Sequence, residues 1–118
     1  MRTMQYFTLN HKISFYVPST SKVKAKISKD ELTKRTREIA ELLTGYFGGA
    51  SVEKIQGFYK AQNGQYITET IQRVFAFTSD LDLEKHSEDI MNLAKNKCLE
   101  WKQESIGLEI DNKFLLID

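Results

Sequence analysis

Apolar and polar residues alternate in several segments of this chain, which is the pattern of β-strands with one buried face. In the first of these segments Ile13, Phe15 and Val17 alternate with more polar neighbours. The alternation predicts five strands in all, at about 6–17, 51–61, 65–78, 106–110 and 114–117.

Two dipeptides predict tight turns between these strands. Asn63-Gly64 separates the second and third strands, and Asn-Gly is the favoured pair for a type I′ turn, whose two central residues both need positive φ. Asp111-Asn112 separates the last two strands. We therefore expect a central hairpin with a two-residue loop and a second tight turn near the end of the chain.

A different period, three and four residues, predicts a helix after the first strand. It begins at Ser28, where Ser28 and Glu31 form a capping box. Gly48-Gly49 ends it, at a position that favours positive φ. The apolar stripe comprises Leu32, Ile39, Leu42, Leu43, Tyr46 and Phe47, and the solvent side is expected to hold Lys34, Arg35, Arg37, Glu38 and Glu41.

The same period returns after the third strand and predicts a second helix. It starts near Asp80 or Asp82, and either carboxylate can cap it. Its periodic residues are Leu83, His86, Ile90, Leu93, Ala94, Lys97, Cys98 and Trp101.

The order strand–helix–strand–strand–helix–strand, with one more strand at the end, predicts a single domain over 1–118. It matches a ferredoxin-like α+β two-layer sandwich with an antiparallel sheet and both helices on one face. The other face is then open, and we expect Tyr16, Phe58, Tyr66 and Val74 to populate it. Self-association is the commonest explanation of such a face, so we expect a homodimer or a higher homo-oligomer.

Composition narrows the classes of function. The chain has 41% hydrophobic and 28% charged residues and a net charge of +1, which argues against binding nucleic acid mainly through phosphates. It has one cysteine, Cys98, which excludes an internal disulfide and is expected to be a buried thiol. We expect a cytoplasmic protein without membrane contact, because no apolar run has the length of a signal peptide or a membrane span.

Motifs for catalysis, metals or cofactors are missing from the sequence. His11 and His86 are the two histidines, and neither has a partner at metal-ligand spacing. Asp80 and Asp82 are better explained by the start of a helix than by acid–base chemistry. Gly48-Gly49 follows a helix instead of opening one, so it is no phosphate-binding loop. We therefore expect no metal, no cofactor and no assigned catalytic residue.

The segment from Pro18 to Lys26 has the most function-like composition. Ser19, Thr20 and Ser21 offer hydroxyls, and Lys22, Lys24 and Lys26 offer positive charge, so together they suit a phosphate-bearing small molecule. A charge-protected edge strand or an extended loop is the alternative. The complete candidate ligand set is Tyr16, Ser19, Thr20, Lys22, Lys24, Lys54, Tyr59 and Arg73.

Three further pieces fall in a familiar order: Tyr16-Val17-Pro18-Ser19-Thr20, Gly48-Gly49-Ala50-Ser51, and the segment from Glu104 to Ile110. Together they resemble a family of small proteins carried by phages, prophages and plasmids of Gram-positive bacteria. The family's typical "FGGAT" helix end differs here only by Ser51 in place of threonine. The resemblance covers nearly the whole chain, and it assigns no activity to any residue.

An origin in a mobile element implies action against a host defence system. The leading hypothesis is a non-enzymatic accessory protein that binds and sequesters a nucleotide second messenger. One alternative is an inhibitor that contacts a host defence protein directly. The other is a small-molecule enzyme, which requires polar groups such as His11, Tyr16 or Arg73 to converge in a cavity.

Overall fold

A computed structural model describes residues 5–22 and 25–118. The elements are β1 (His11–Pro18), β2 (Thr20–Ser21), β3 (Ala25–Lys26), α1 (Lys29–Phe47), β4 (Ser51–Lys60), β5 (Tyr66–Thr78), α2 (Asp80–Glu100), β6 (Ile106–Ile110) and β7 (Lys113–Ile117). Five of the strands form one antiparallel sheet in the order β4-β5-β1-β6-β7, and the short β2 and β3 pair separately. This is the predicted ferredoxin-like sandwich with an added C-terminal strand.

The hydrophobic core lies between the sheet and the two helices. Alternate residues of β1 are fully buried against α1 and α2, as the period of this strand predicted. Phe15 is central: its ring meets Trp101 edge to face at a centroid distance of 6.3 Å. The other members of this core are Ile13, Val17, Ile39, Leu43, Phe47, Val74, Ala76, Ile90, Ala94, Cys98, Ile106 and Leu108.

Both ends of α1 and the start of α2 lie where the sequence predicted them. Ser28 Oγ accepts a hydrogen bond from Glu31 N at 3.1 Å, and Gly48 ends α1 with φ of +90°. The first helical residue of α2 is Asp80, as expected, but the expected cap by Asp80 or Asp82 is wrong. Its N-cap is Ser79, whose Oγ accepts from Asp82 N at 3.2 Å. The backbone leaves the extended conformation one residue earlier than expected, so the carboxylates lie in the first turn, where they favour the helix dipole.

The central hairpin turns at the predicted place by a different turn. Gly64 has φ of +88°, but Asn63 does not have positive φ, so the predicted type I′ turn is wrong. Gly64 N donates to Ala61 O at 2.9 Å, and Ala61 N donates to Gln65 O at 2.8 Å. This is a three-residue loop, a turn followed by a left-handed glycine. The amide of Asn63 favours it by accepting from Gln65 N at 3.0 Å.

The first strand starts later than its alternation suggested. Regular structure begins at His11, and residues 5–10 form no strand. The ambiguous segment after Pro18 is partly a strand, because Ala25 and Lys26 pair with Ser21 and Thr20.

Strand register corrects the expected composition of the open sheet face. Phe15 pairs with Val74, so Val74 faces the helices and is fully buried. Phe58 and Tyr66 share that register side farther along the hairpin, where they are exposed. Of the four predicted residues, Tyr16 alone lies on the open face.

None of the helices in the described parts of the chain combines the length and the apolar composition that crossing a membrane requires.

Candidate functional site

A two-stranded arm creates the concave surfaces of this molecule. β5 has 13 residues, but β1 pairs with it only from Ile71 onward, opposite Pro18. Residues 66–70 of β5 therefore continue beyond the sheet with β4 as their single neighbour. The free edge of this arm lies beside the segment after Pro18, and a cavity opens on each side of it.

Glu69 anchors the arm to that segment. Its Oε1 accepts hydrogen bonds from Ser19 N and Thr20 Oγ1, both at 3.1 Å. A carboxylate in the middle of a strand breaks the alternation that Ile67 and Ile71 set up. This break in the alternation was the indication that could have identified Glu69 as a functional residue. The predicted ligand set does not include Glu69.

A buried arginine holds the same segment from the helix side. Arg35, expected on the solvent face of α1, is only 5% exposed. Its Nη1 donates to Pro18 O at 3.2 Å and to Thr20 O at 2.9 Å, and its guanidinium lies over Trp101 at 4.9 Å. Gln103 Nε2 also donates to Thr20 O, at 2.8 Å. The burial has a physical reason: the carbonyls at the end of β1 need donors, and Arg35 supplies them.

The smaller cavity, about 550 Å³, lies on the open side of the sheet. Tyr16 and Phe114 meet edge to face at 5.3 Å on its floor. Gly107 permits this, because an added Cβ would lie 2.8 Å from Phe114 Cζ and 3.3 Å from Tyr16 Cδ2. The complete lining is Tyr16, Pro18, Gly57, Phe58, Tyr59, Glu69, Ile71, Gln103, Glu104, Ser105, Ile106, Gly107, Phe114 and Leu116.

The smaller cavity is acidic. Glu69 and Glu104 are its charged residues. Burial, and then the charges of Glu69 and Glu104, raise the pKa of the Tyr59 phenol above its usual value of 10.0. Tyr59 is therefore a neutral hydrogen-bond donor at physiological pH. The negative potential that opposes a phenolate here would favour a cation.

The larger cavity, about 920 Å³, lies between the arm, the start of α1 and the β2–β3 segment. It shares Tyr59 and Glu69 with the smaller one. Three lysines line it, together with threonines and glutamines from the arm. The complete lining is Ser19, Thr20, Lys26, Ile27, Lys29, Leu32, Thr33, Lys54, Gln56, Tyr59, Gln65, Ile67, Thr68, Glu69, Thr70 and Gln72.

The structure gathers four of the eight predicted ligand residues in one place. Ser19, Thr20, Lys54 and Tyr59 all line the larger cavity. The predicted Tyr16 joins Tyr59 in the smaller cavity.

The other three predicted ligand residues do not join them. Arg73 lies on the open sheet face in an ion pair with Glu53 and lines neither cavity. Lys22 is exposed, has φ of 49° and also lines neither. Lys24 lies outside the described residues.

His11 bridges Asp80 and Asp111, an arrangement that we call the His11 clamp. It lines neither cavity. Its Nδ1 is 2.7 Å from Asp111 Oδ2, and its Nε2 is 2.5 Å from Asp80 Oδ1. These hydrogen bonds raise the pKa of His11 above 6.5, and the pKa of Asp111 falls below 3.8. Of the polar groups named for an enzyme, Tyr16 lines the smaller cavity, whereas His11 and Arg73 line neither cavity.

No group of three His, Cys, Asp or Glu side chains within residues 5–22 and 25–118 is arranged to hold a metal ion.

Cys98 is buried as predicted, and its Sγ donates to Gln103 O at 3.1 Å. Burial raises the pKa of the thiol.

Comparison with known proteins finds this fold in phage proteins. A phage SAM lyase in complex with S-methyl-5′-thioadenosine matches with a TM-score of 0.66 and 20% identity, over 99% of this chain and 95% of that one. A phage SAM lyase in its apo state matches with a TM-score of 0.68 and 22% identity, over 98% and 95%. No protein-family model and no curated protein matches the sequence. The likeness shows a shared fold from one end of the chain to the other.

Proposed function

We propose that this protein binds S-adenosylmethionine (SAM) in the smaller cavity and cleaves it to S-methyl-5′-thioadenosine (MTA). The observation that carries the proposal is the pairing of an aromatic floor with two carboxylates in one cavity. SAM combines a flat adenosine with two cationic groups, a sulfonium and an ammonium. The lyase of the same fold, seen with MTA, makes SAM the natural choice among such ligands.

Charge is the first part of the fit. Burial is the main cause of the raised pKa of Tyr59, and the negative charges of Glu69 and Glu104 raise it further. These two charges also attract the sulfonium and the ammonium of SAM. Ser19 and Thr20 hold Glu69 in place. A carboxylate that is already ordered loses little side-chain entropy when a cation binds.

Shape is the second part of the fit. The Tyr16–Phe114 pair over Gly107 offers ring faces and edges on which an adenine can pack. The volume of about 550 Å³ falls within the roughly 300–1,000 Å³ that is typical of small-molecule sites. The hydroxyl of Tyr59 adds a neutral donor for an oxygen of the ligand.

The cleavage that we propose needs no base from the protein, so Glu69 and Glu104 act as counter-charges to the ligand. Tyr59 stays protonated, and Glu69 Oε1 already accepts two hydrogen bonds. In the proposed reaction the carboxylate of SAM attacks the γ-carbon of its own methionine part, which is bonded to sulfur, and forms a C–O bond. The C–S bond breaks, and its electron pair neutralises the sulfonium. The products are MTA and homoserine lactone, and no water is consumed. The site contributes orientation and exclusion of solvent.

Cleavage of SAM would be the way in which this protein acts against a host defence. SAM is the methyl donor of the cell, so a phage or mobile-element protein that removes it deprives host methyl-transfer reactions of substrate. The resemblance to proteins of phages, prophages and plasmids supports this role, and so does the phage origin of both structural neighbours.

A homo-oligomer is part of the proposal. Phe77 is 51% exposed on the open sheet face outside both cavities, and Phe114 and Leu116, 56% and 67% exposed, lie on the same face and line the smaller cavity. A second copy on this face would remove apolar surface from water and would lie beside the smaller cavity. Light scattering that returned a monomer near 13.7 kDa would contradict this part.

Chromatography of a SAM incubation tests the cleavage. The wild-type protein is expected to convert SAM to equal amounts of MTA and homoserine lactone. Glu69→Gln should lower the rate at least about tenfold, equivalent to roughly 1.4 kcal/mol of barrier. Glu88→Gln, an exposed carboxylate of α2 that lines neither cavity, should keep the wild-type rate. Unchanged SAM in the presence of folded wild-type protein would reject the lyase proposal.

Capture without turnover is the second candidate. It retains the predicted role of a non-enzymatic protein that sequesters a small ligand, and the aromatic pair and the two carboxylates of the smaller cavity would serve binding alone. The same incubation separates the two: capture predicts SAM that co-elutes with the protein and no MTA, whereas cleavage predicts free MTA.

A further inference from the structure

We propose that the larger cavity is a second ligand site, which binds the phosphate groups of a nucleotide. It is separate from the SAM site, although the two share the wall made by Tyr59 and Glu69.

The charge of the cavity carries the proposal. Lys26, Lys29 and Lys54 line it, and Glu69 is the acidic residue among the lining. Within the described parts of the chain, none of the three lysines lies in a salt bridge. The carboxylate of Glu69, in contrast, is engaged by Ser19 and Thr20. Three uncompensated ammonium groups therefore share a cavity whose one negative charge is directed elsewhere, which favours an anion.

The lysines come from three different elements. Lys26 lies in β3, Lys29 in the first turn of α1, and Lys54 in β4. A charge-protected strand edge would need lysines along one strand only. Convergence from three elements on a common cavity is instead the arrangement of a site in which a polyanion is contacted from several sides.

Hydroxyl and amide groups supply the remaining contacts that a phosphate prefers. Thr33 stands on the wall from α1, and Thr68 and Thr70 stand on the facing wall from β5. Gln56 and Gln72 lie beside them. Phosphate oxygens accept hydrogen bonds from such donors, and ammonium groups nearby strengthen the binding.

An apolar patch in the same cavity indicates that the ligand carries more than phosphate. Ile27, Leu32 and Ile67 line the cavity with Tyr59. Its volume of about 920 Å³ exceeds what inorganic phosphate needs and lies near the upper end of ligand sites, roughly 1,000 Å³. A base packed on the apolar patch, with its phosphates at the lysines, uses both parts of the lining.

The sign of the charge separates the two sites. SAM has no phosphate and a positive sulfonium, which the lysines of the larger cavity would repel. A nucleotide is an anion, which Glu69 and Glu104 would repel from the smaller cavity. Each ligand is thus directed to one side of the arm.

Calorimetric titration with ADP, pyrophosphate and adenosine tests the site. ADP and pyrophosphate are expected to bind the wild-type protein, and adenosine at least about tenfold more weakly than ADP, because the lysines contact phosphate. Lys54→Gln should weaken ADP about tenfold. Lys85→Gln, an exposed lysine of α2 outside both cavities, should leave the affinity unchanged.

Three results would overturn the proposal: no heat with either ADP or pyrophosphate, equal affinity for adenosine and ADP, or equal losses in Lys54→Gln and Lys85→Gln. A parallel titration of SAM keeps the two proposals distinguishable. Loss of ADP binding with SAM binding intact rejects only the nucleotide site, and the reverse result rejects only the SAM site.

Discussion

Single residues decide the chemistry of this molecule, and few of them stand out in the sequence. Glu69 interrupts the apolar alternation of its strand, but its role becomes visible only because the pairing of β5 with β1 stops at Ile71 and leaves its neighbourhood free. Arg35 reads as one more charge on the surface of α1, yet it is buried because two carbonyls need its donors. Both roles depend on partners more than ten residues away, which no local pattern reveals.

The His11 clamp makes stability depend on pH. Its folded pKa lies above 6.5, so its contribution is complete below pH 6.5 and is lost as the pH rises through the folded pKa. The pKa of Asp111 is lowered from 3.8. Its contribution is therefore present above pH 3.8 and is lost as the pH falls through the folded pKa.

Thermal unfolding of the wild type and His11→Gln at a series of pH values measures this dependence. The advantage of the wild type over the variant should be largest between pH 3.8 and pH 6.5 and should shrink above pH 6.5. Asp80→Asn, which removes one of the two partners, should reduce the advantage without abolishing its pH dependence. Melting curves that stay parallel from about pH 5 to about pH 9 would show that the clamp contributes nothing.

At the scale of elements, the sequence predicted most of the fold. Alternation located the strands of the sheet, and the three–four period located both helices, because burial on one face imposes those periods directly. The register of the strands could not be predicted from the sequence. The assignment of Val74 and Phe58 to the open face failed because a strand with apolar residues on both sides does not indicate which side meets the helices.

The segment after β1 connects α1 to the proposed SAM site, and we assign Arg35 as the positioning residue in that connection. Arg35→Met should leave the carbonyls of Pro18 and Thr20 without this donor and cost roughly 1–3 kcal/mol of stability. It should also weaken SAM binding, because Ser19 and Thr20 would no longer hold Glu69.

Calorimetry well below the melting temperature separates these two effects. Arg37→Met is the matched control, since Arg37 is an exposed arginine of the same helix, paired with Glu41 at 3.0 Å. Arg35→Lys should recover part of the SAM affinity. If Arg35→Met lowered stability and bound SAM as tightly as the wild type, Arg35 would be structural only.

At the scale of the whole molecule, the arm separates charges of opposite sign. The net charge of +1 argued against binding nucleic acid mainly through phosphates. It is a sum that conceals an acidic cavity on one side of the arm and a basic cavity on the other. Composition alone cannot show this separation, because the charges of each cavity come from distant parts of the chain. The fold alone brings Lys26, Lys29 and Lys54 to one cavity and Glu104 to the side of Glu69.

The central claim is that the acidic cavity recognises the cationic form of an adenosyl ligand. We would test it most directly by comparing the wild type and Glu104→Gln in the KM of SAM and in the Kd of MTA, because the two ligands share the adenosine and differ in charge. Glu104→Gln should weaken SAM at least about tenfold, the loss of one charge-assisted contact, and should leave the affinity for neutral MTA nearly unchanged. Equal losses for both ligands, or none for SAM, would contradict the account.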